Sequence, residues 1–244
     1  MNKSICFIFC GLCLFFNCKT INLSQTSQTN TTQPVSLGSI GTGKDFILQK
    51  GFNNTAVPSY KAPIKLAIKV KGFNKQSFKS FTKAKAVQSA NVSINYIDSV
   101  ANKPKYIQLQ IADKVSLIKQ LNGKENTQEK RYLSHNPYAK ILTSITIAFS
   151  QKDIQRITSA DAVFLIENSL KTYALQLHKT KGDKEIIAFN EGVVFEYQAS
   201  NSCWQENSRH NFDIVDLVSA LNDCPKKTYR SPKRAKKKIN YFKL

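Results

Sequence analysis

From Pro63 to Val70 the chain reads PIKLAIKV, with apolar residues at every second place: Ile64, Leu66, Ile68 and Val70, separated in part by Lys65 and Lys69. A period of two sets one row of side chains on a buried face and the other in water, so the spacing predicts a half-buried β-strand. The same alternation recurs at Val92-Ile94-Tyr96, Ile107-Leu109-Ile111 and Ile145-Ile147-Phe149. Later runs, Ala162–Ile166, Tyr173–His178, Ile186–Phe189 and Val193–Tyr197, are closely spaced, with KGD (181–183) and NEG (190–192) as turns. Short strands joined by tight glycine-containing turns predict hairpins, and hence an antiparallel sheet.

Three segments change to a helical period. Ala112–Asn122 places Val115, Ile118 and Leu121 together and ends at Gly123, a common C-cap residue. Gln151–Ile157 follows Ser150, with Asp153 placed to complete a capping box. Phe212–Asn222 puts Ile214, Leu217, Val218 and Leu221 on one face, with Asn211 as cap and Pro225 past the end, and is expected to be the third helix. The polar stretch NGKENTQEKRYLSHNPY, residues 122–138, separates similar sets of strands. It is expected to be a linker between two small β-rich subdomains, or a long loop within one domain.

The first 17 residues follow another logic. Lys3 is followed by ICFIFCGLCLFF, Ile5–Phe16, then Asn17 and Cys18. An apolar helix of that length rises only about 18 Å, short of a hydrocarbon core of roughly 30 Å, so the run predicts a signal-peptide core. Leu14, Phe15 and Cys18 together resemble the lipobox of bacterial lipoproteins, and Cys18-Lys19 looks like the junction found in those of the Bacteroidota. The resemblance covers residues 1–20 and implies removal of 1–17, diacylation of Cys18 and attachment to a membrane, with the domain facing the periplasm or the cell surface. Cleavage near Thr20 by ordinary signal peptidase, giving a soluble secreted protein, is the alternative. Residues 18–44, almost all Ser, Thr, Gln, Asn and Gly, are expected to be a flexible tether.

Cysteine usage agrees with export. Cys6, Cys10 and Cys13 leave with the signal and Cys18 carries the lipid, so Cys203 and Cys224 remain to form one disulfide. The expected fold is therefore α+β and β-rich: mainly antiparallel sheet over residues 45–225, about three short helices and one disulfide.

The formal charge is +20, from 36 Lys and Arg against 16 Asp and Glu, in a chain of 244 residues. Such an excess favours anionic partners. Only Arg131, Arg156, Arg209, Arg230 and Arg234 are arginines, so specific nucleic-acid recognition is not expected. Lysine in a chain also rich in Asn and Ile is equally what an AT-rich genome produces. The excess concentrates after residue 225, in Lys226, Lys227, Arg230, Lys233, Arg234, Lys236, Lys237 and Lys238. Residues 226–244 are expected to be a mobile basic tail, or a polyanion-binding one.

Motifs for catalysis are weak. GSIGTGKD, Gly38–Asp45, fits part of a phosphate-binding loop but lacks a strand before it, a helix after it and the magnesium-binding hydroxyl. SCW, Ser202–Trp204, is similar to the surroundings of papain-type nucleophiles, yet only His210 follows it. His135, His178 and His210 have no metal-ligand spacing, and Asp213, Asp216, Glu185, Glu191 and Glu196 read as solvated acids. No catalytic residue, metal or cofactor is expected. The sequence favours a lipid-anchored cell-envelope protein that binds or scaffolds without chemistry, its partners being the membrane, anionic envelope polymers or another envelope protein. An exported hydrolase and a secreted polyanion-binding protein are the alternatives.

Overall fold

The computed structural model describes residues 28–46, 49–180 and 182–236. In chain order the strands and helices are β1 (Thr29–Asn30), β2 (Ile40–Phe46), β3 (Gln49–Ala56), β4 (Ile64–Gly72), α1 (Lys75–Lys85), β5 (Lys105–Ile111), α2 (Lys114–Leu121), α3 (Thr127–His135) and β6 (Ala139–Ala148). They continue with α4 (Gln151–Thr158), β7 (Ala162–Ser169), β8 (Thr172–His178), β9 (Lys184–Ala188), β10 (Val193–Glu206), β11 (Phe212–Ser219) and α5 (Pro232–Ala235). The fold is α+β and β-rich, its strand pairs are antiparallel, and a disulfide joins Cys203 to Cys224. Five short helices stand among the described residues, where about three were expected.

All eleven described strands belong to one sheet, ordered β1-β10-β6-β5-β4-β7-β8-β9, with β11 added to β10 and the β2–β3 hairpin added to β6. Strand β6 is buried along nearly its whole length because both faces are covered. On one face Ile107, Leu109, Ile145, Ile147, Val194 and Tyr197 enter the main core. Their neighbours Tyr106, Ala148, Val193 and Phe195 enter a second cluster on the other face, where α1 supplies Phe81 and Ala84. Alternate residues of the same strands thus build two separate cores.

The expected linker is not one. Residues 127–135 form α3, and strands from both sides of the segment pair directly, β5 with β6. Asn126 explains the rigid connection: its Nδ2 donates to Ser59 O at 2.8 Å, and its Oδ1 accepts from Ser59 N at 2.7 Å.

The expected tether also needs correction over its described part. Residues 29–30 and 40–43 pair in the sheet and the loop between them packs on it, with Val35, Leu37 and Ile40 buried, and Gly38 N donates to Leu142 O at 2.8 Å. Composition underestimated this segment because its hydrogen bonds go to long-range partners. Residues 18–27 lie outside the described residues.

Val92, Ile94 and Tyr96 do share a face, but no strand pairs with them. Val92 is buried in the second core and Tyr96 stacks on Phe78 of α1, with ring centroids 4.9 Å apart. The alternation reports an extended loop laid on an aromatic cluster.

The helix expected over Phe212–Asn222 is strand β11. Its register with β10 runs Cys203 opposite Asp216 and Trp204 opposite Ile214, which leaves Val215 as an extra, bulged residue. A bulge brings Ile214 and Leu217, three apart, onto one buried face and so imitates a helical period. The disulfide therefore brackets a β-hairpin.

Two substitutions test this architecture. A Cβ on Gly41 would stand 2.1 Å from Asn53 O, so Gly41→Ala is expected to lower unfolding free energy by about 3 kcal/mol in urea titration, through the β2–β3 pairing. Burial raises the Glu196 carboxyl above its ordinary pKa, against smaller opposing effects from Thr146 and Lys71. The stability attached to a raised carboxyl is complete below the unfolded pKa, about 4.3, and is lost as pH rises through the folded one. Glu196→Gln should raise the urea midpoint at pH 7, and the gain should disappear near pH 4.

Candidate functional site

The segment that read as a linker or long loop supplies one wall of a surface groove. On α3, Thr127, Lys130, Arg131 and Ser134 fall at helical spacings of three and four and so share one face. The opposite wall is the turn between β10 and β11, with Asn207, Asn211, Phe212 and Asp213, and Trp204 lies between them. The groove holds about 340 Å³ and is open to solvent.

The turn is organised by Asn207. Its Oδ1 accepts from Arg209 N at 2.9 Å and Asn211 N at 3.0 Å, while its Nδ2 donates to Asp213 Oδ2 at 2.9 Å. Lys130 Nζ donates to Asp213 Oδ1 at 2.6 Å, locking α3 to β11. Burial alone would raise the Asp213 carboxyl, but hydrogen bonds from Lys130 and Asn207 outweigh it and hold the pKa below the usual aspartate value. Glu206 is buried and pairs with His210 at 3.0 Å. The acids beside the groove are thus already matched, whereas Arg131 is exposed and has no side-chain partner among the described residues.

A second, smaller depression of about 70 Å³ lies on the other side of Trp204, lined by Leu133, Asn136, Ser202 and Arg230 among others. The basic segment reaches the fold here. Trp204 N donates to Tyr229 O at 2.7 Å and Tyr229 N donates to Trp204 O at 3.0 Å, so the segment extends the edge of β10 beyond the end of β6. Pro232 and Ala235 of α5 are buried, and the disulfide holds the start of the segment with Cα atoms 5.7 Å apart.

Residues 226–236 are therefore docked, correcting the expectation of a mobile tail. Lys226, Lys227, Arg230, Lys233, Arg234 and Lys236 are all exposed on this fixed stretch. Arg230 has a structural task as well, since its Nη2 donates to Ala220 O at 3.1 Å and Asn222 O at 2.6 Å. Cys18, Lys237 and Lys238 lie outside the described residues.

The motifs considered for chemistry have other uses. Gly38–Asp45 runs into β2 and a hairpin, not into a helix N-terminus. Cys203 is in the disulfide and offers no thiolate. Glu185 pairs with Arg156 at 2.9 Å and with Lys179, Glu191 Oε1 accepts from Ala188 N at 2.9 Å, and His178 contacts Gln176 at 2.9 Å. Among the described residues no three His, Cys, Asp or Glu side chains converge on a metal-sized site, and no helix is long and apolar enough to cross a membrane. The spacing of Thr127, Lys130, Arg131 and Ser134 was the signal for the groove, concealed by the polarity of its surroundings.

No family model matches this chain, and no curated protein or solved structure is significantly similar to it.

The disulfide is expected to hold the basic segment in place. For a bridge spanning 21 residues, Cys224→Ser should cost on the order of 3 kcal/mol in thermal or urea unfolding. Limited proteolysis of that variant should cut first between Cys224 and Lys236.

Proposed function

We propose that the chain is an exported, lipid-anchored module of the cell envelope that binds without chemistry, holding an anionic envelope polymer along the groove between α3 and the β10–β11 turn. The observation that carries this reading is the fixed array of exposed basic side chains, Lys226 through Lys236, docked beside a groove whose acids are paired and whose Arg131 is not. A rigidly held cation costs less ordering entropy on binding than one on a mobile tail. Phe212 and Asn211 add aromatic and amide surface of the kind that recognises polar polymers, backed by the buried Trp204.

Export is supported by the pairing of Cys203 with Cys224, which suits an oxidising compartment, and by the short apolar run ending at Cys18. In this reading Cys18 is the membrane attachment and the domain acts at the end of a short stalk.

Mass spectrometry of the mature protein should find diacylglyceryl-modified Cys18 at its N-terminus; an unmodified terminus elsewhere would remove the anchor from the proposal. Retention on immobilised heparin, used as a model polyanion, should fall with salt. Arg131→Glu and the pair Lys233→Glu and Arg234→Glu should each elute at lower salt, and together should weaken binding at least tenfold. Unchanged retention in the combined variant would refute the groove as the binding surface.

A further inference from the structure

Another concavity lies away from the groove, between the β2–β3 hairpin, the start of β6 and β10. Ile141 of β6 pairs with Ile40 on one edge and with Ser200 on the other. Just beyond, the register between β6 and β10 slips: Gln198 faces Ser144 and Ala199 faces Leu142, leaving Thr143 bulged. Bulges re-aim neighbouring side chains and open a sheet locally. The resulting cleft encloses about 190 Å³.

Its walls combine two kinds of surface. Phe52 and Tyr197 form an aromatic pair with ring centroids 5.4 Å apart, and both are buried. Lys140 and Gln198 bring an ammonium and a carboxamide to its lining, which Ser219 also joins. Neither Lys140 nor Gln198 has a side-chain partner among the described residues, whereas the Ser219 Oγ is sealed from solvent and so does not open into the cleft. An ammonium and a carboxamide beside an aromatic pair, neither of them spent on the protein itself, point to a ligand. A cavity of roughly 150 Å³ accepts a benzene ring, which sets the size class.

Gly43 completes the cleft. A Cβ there would meet nothing nearer than Tyr197 Oη at 4.0 Å, so the missing side chain is the space available to a bound molecule.

From this geometry we infer that the cleft binds a small hydroxylated six-membered ring bearing a carboxylate: the ring against Phe52 and Tyr197, the carboxylate on Lys140, and a hydroxyl on Gln198. This site is independent of the polymer groove. Aromatic acids and sugar acids both present that chemistry, and the probes separate them.

Calorimetry and saturation-transfer NMR on the full chain would use 4-hydroxybenzoate and glucuronate, with 4-hydroxybenzamide and glucose as uncharged counterparts. At least one acid should bind, at least tenfold more tightly than its uncharged counterpart, and the one that binds identifies the source. Lys140→Met should weaken it about tenfold or more, the loss of one charge-assisted contact. Gly43→Leu should abolish binding by filling the cleft, while Arg131→Glu should leave it unchanged. If Gly43→Leu fails to fold by circular dichroism, Lys140→Met and the uncharged counterparts decide. Binding of neither acid, equal binding of the uncharged molecules, or full affinity in Lys140→Met or a folded Gly43→Leu would overturn the assignment.

Discussion

Strand β10 is shared by nearly every part of the molecule. Over its first half one edge pairs with β6 and the other receives the two residues of β1; over its second half it pairs with β11, while Tyr229 takes the edge that β6 has left. A strand of fourteen residues cannot stay straight through so many changes of partner. The ladder absorbs the change through register slips at Phe195, Thr143 and Val215. Each slip adds one residue on one side, and each bends or twists the sheet.

Both candidate sites lie beside such slips. The groove contains Trp204, immediately after the Val215 irregularity, and the enclosed cleft lies against Gln198 and Ala199, opposite Thr143. Where the ladder is regular, side chains are consumed by the two cores. Where it slips, polar groups gather at the surface over rigid support, as Asn211 and Arg131 do above the buried Trp204, 1% exposed between α3 and the hairpin turn. The basic segment is fixed by the same strand, through Tyr229 and the Cys203–Cys224 bridge. Location of both surfaces thus follows from partner exchange along β10.

Legibility in the sequence followed the same division. The regular parts, β4, β5, β7 to β9 and α4, could be read from period and caps, as Ile107, Leu109 and Ile111 are all inside. Helix α2 was placed by its stop at Gly123, but its buried side chains are Leu117 and Leu121 while Val115 is exposed, as is Val70 toward the end of β4. Ser150 caps α4 as its spacing implied, its Oγ accepting from Asp153 N at 3.2 Å. What could not be read were elements whose burial is set by distant partners. The bulge at Val215 disguised β11 as a helix, and residues 29–30 and 40–43 of the polar segment entered the sheet through long-range pairing. Helix α1, KQSFKSFTKAK, has few apolar positions, and its signal was the cap, in which Asn74 and Ser77 hydrogen-bond reciprocally. The groove was legible only as an unremarked helical spacing, and the cleft not at all, since Gly43, Phe52, Lys140 and Ser219 come from four separate stretches.

Side-chain amides repeatedly stand in for absent strands. Gln88 pairs with both backbone groups of Val194, Gln120 with those of Ala62, Asn126 with those of Ser59, and Asn122 with those of Ile214. At Ile214 the substitute covers an otherwise open edge of β11, which discourages pairing with another chain. Asn122 is followed by Gly123, the neighbour that least obstructs attack of a backbone nitrogen on the side-chain amide. Ring closure with loss of ammonia, followed by addition of water, would leave a carboxylate, which still accepts from Ile214 N but sets oxygen against oxygen at Ile214 O, where the amide nitrogen now stands 2.7 Å away. The outer edge of the hairpin thus rests on Asn122 together with Lys114, whose Nζ donates to Leu217 O at 3.2 Å, so conversion of that one amide to a carboxylate would unfasten one of two clasps on the same strand.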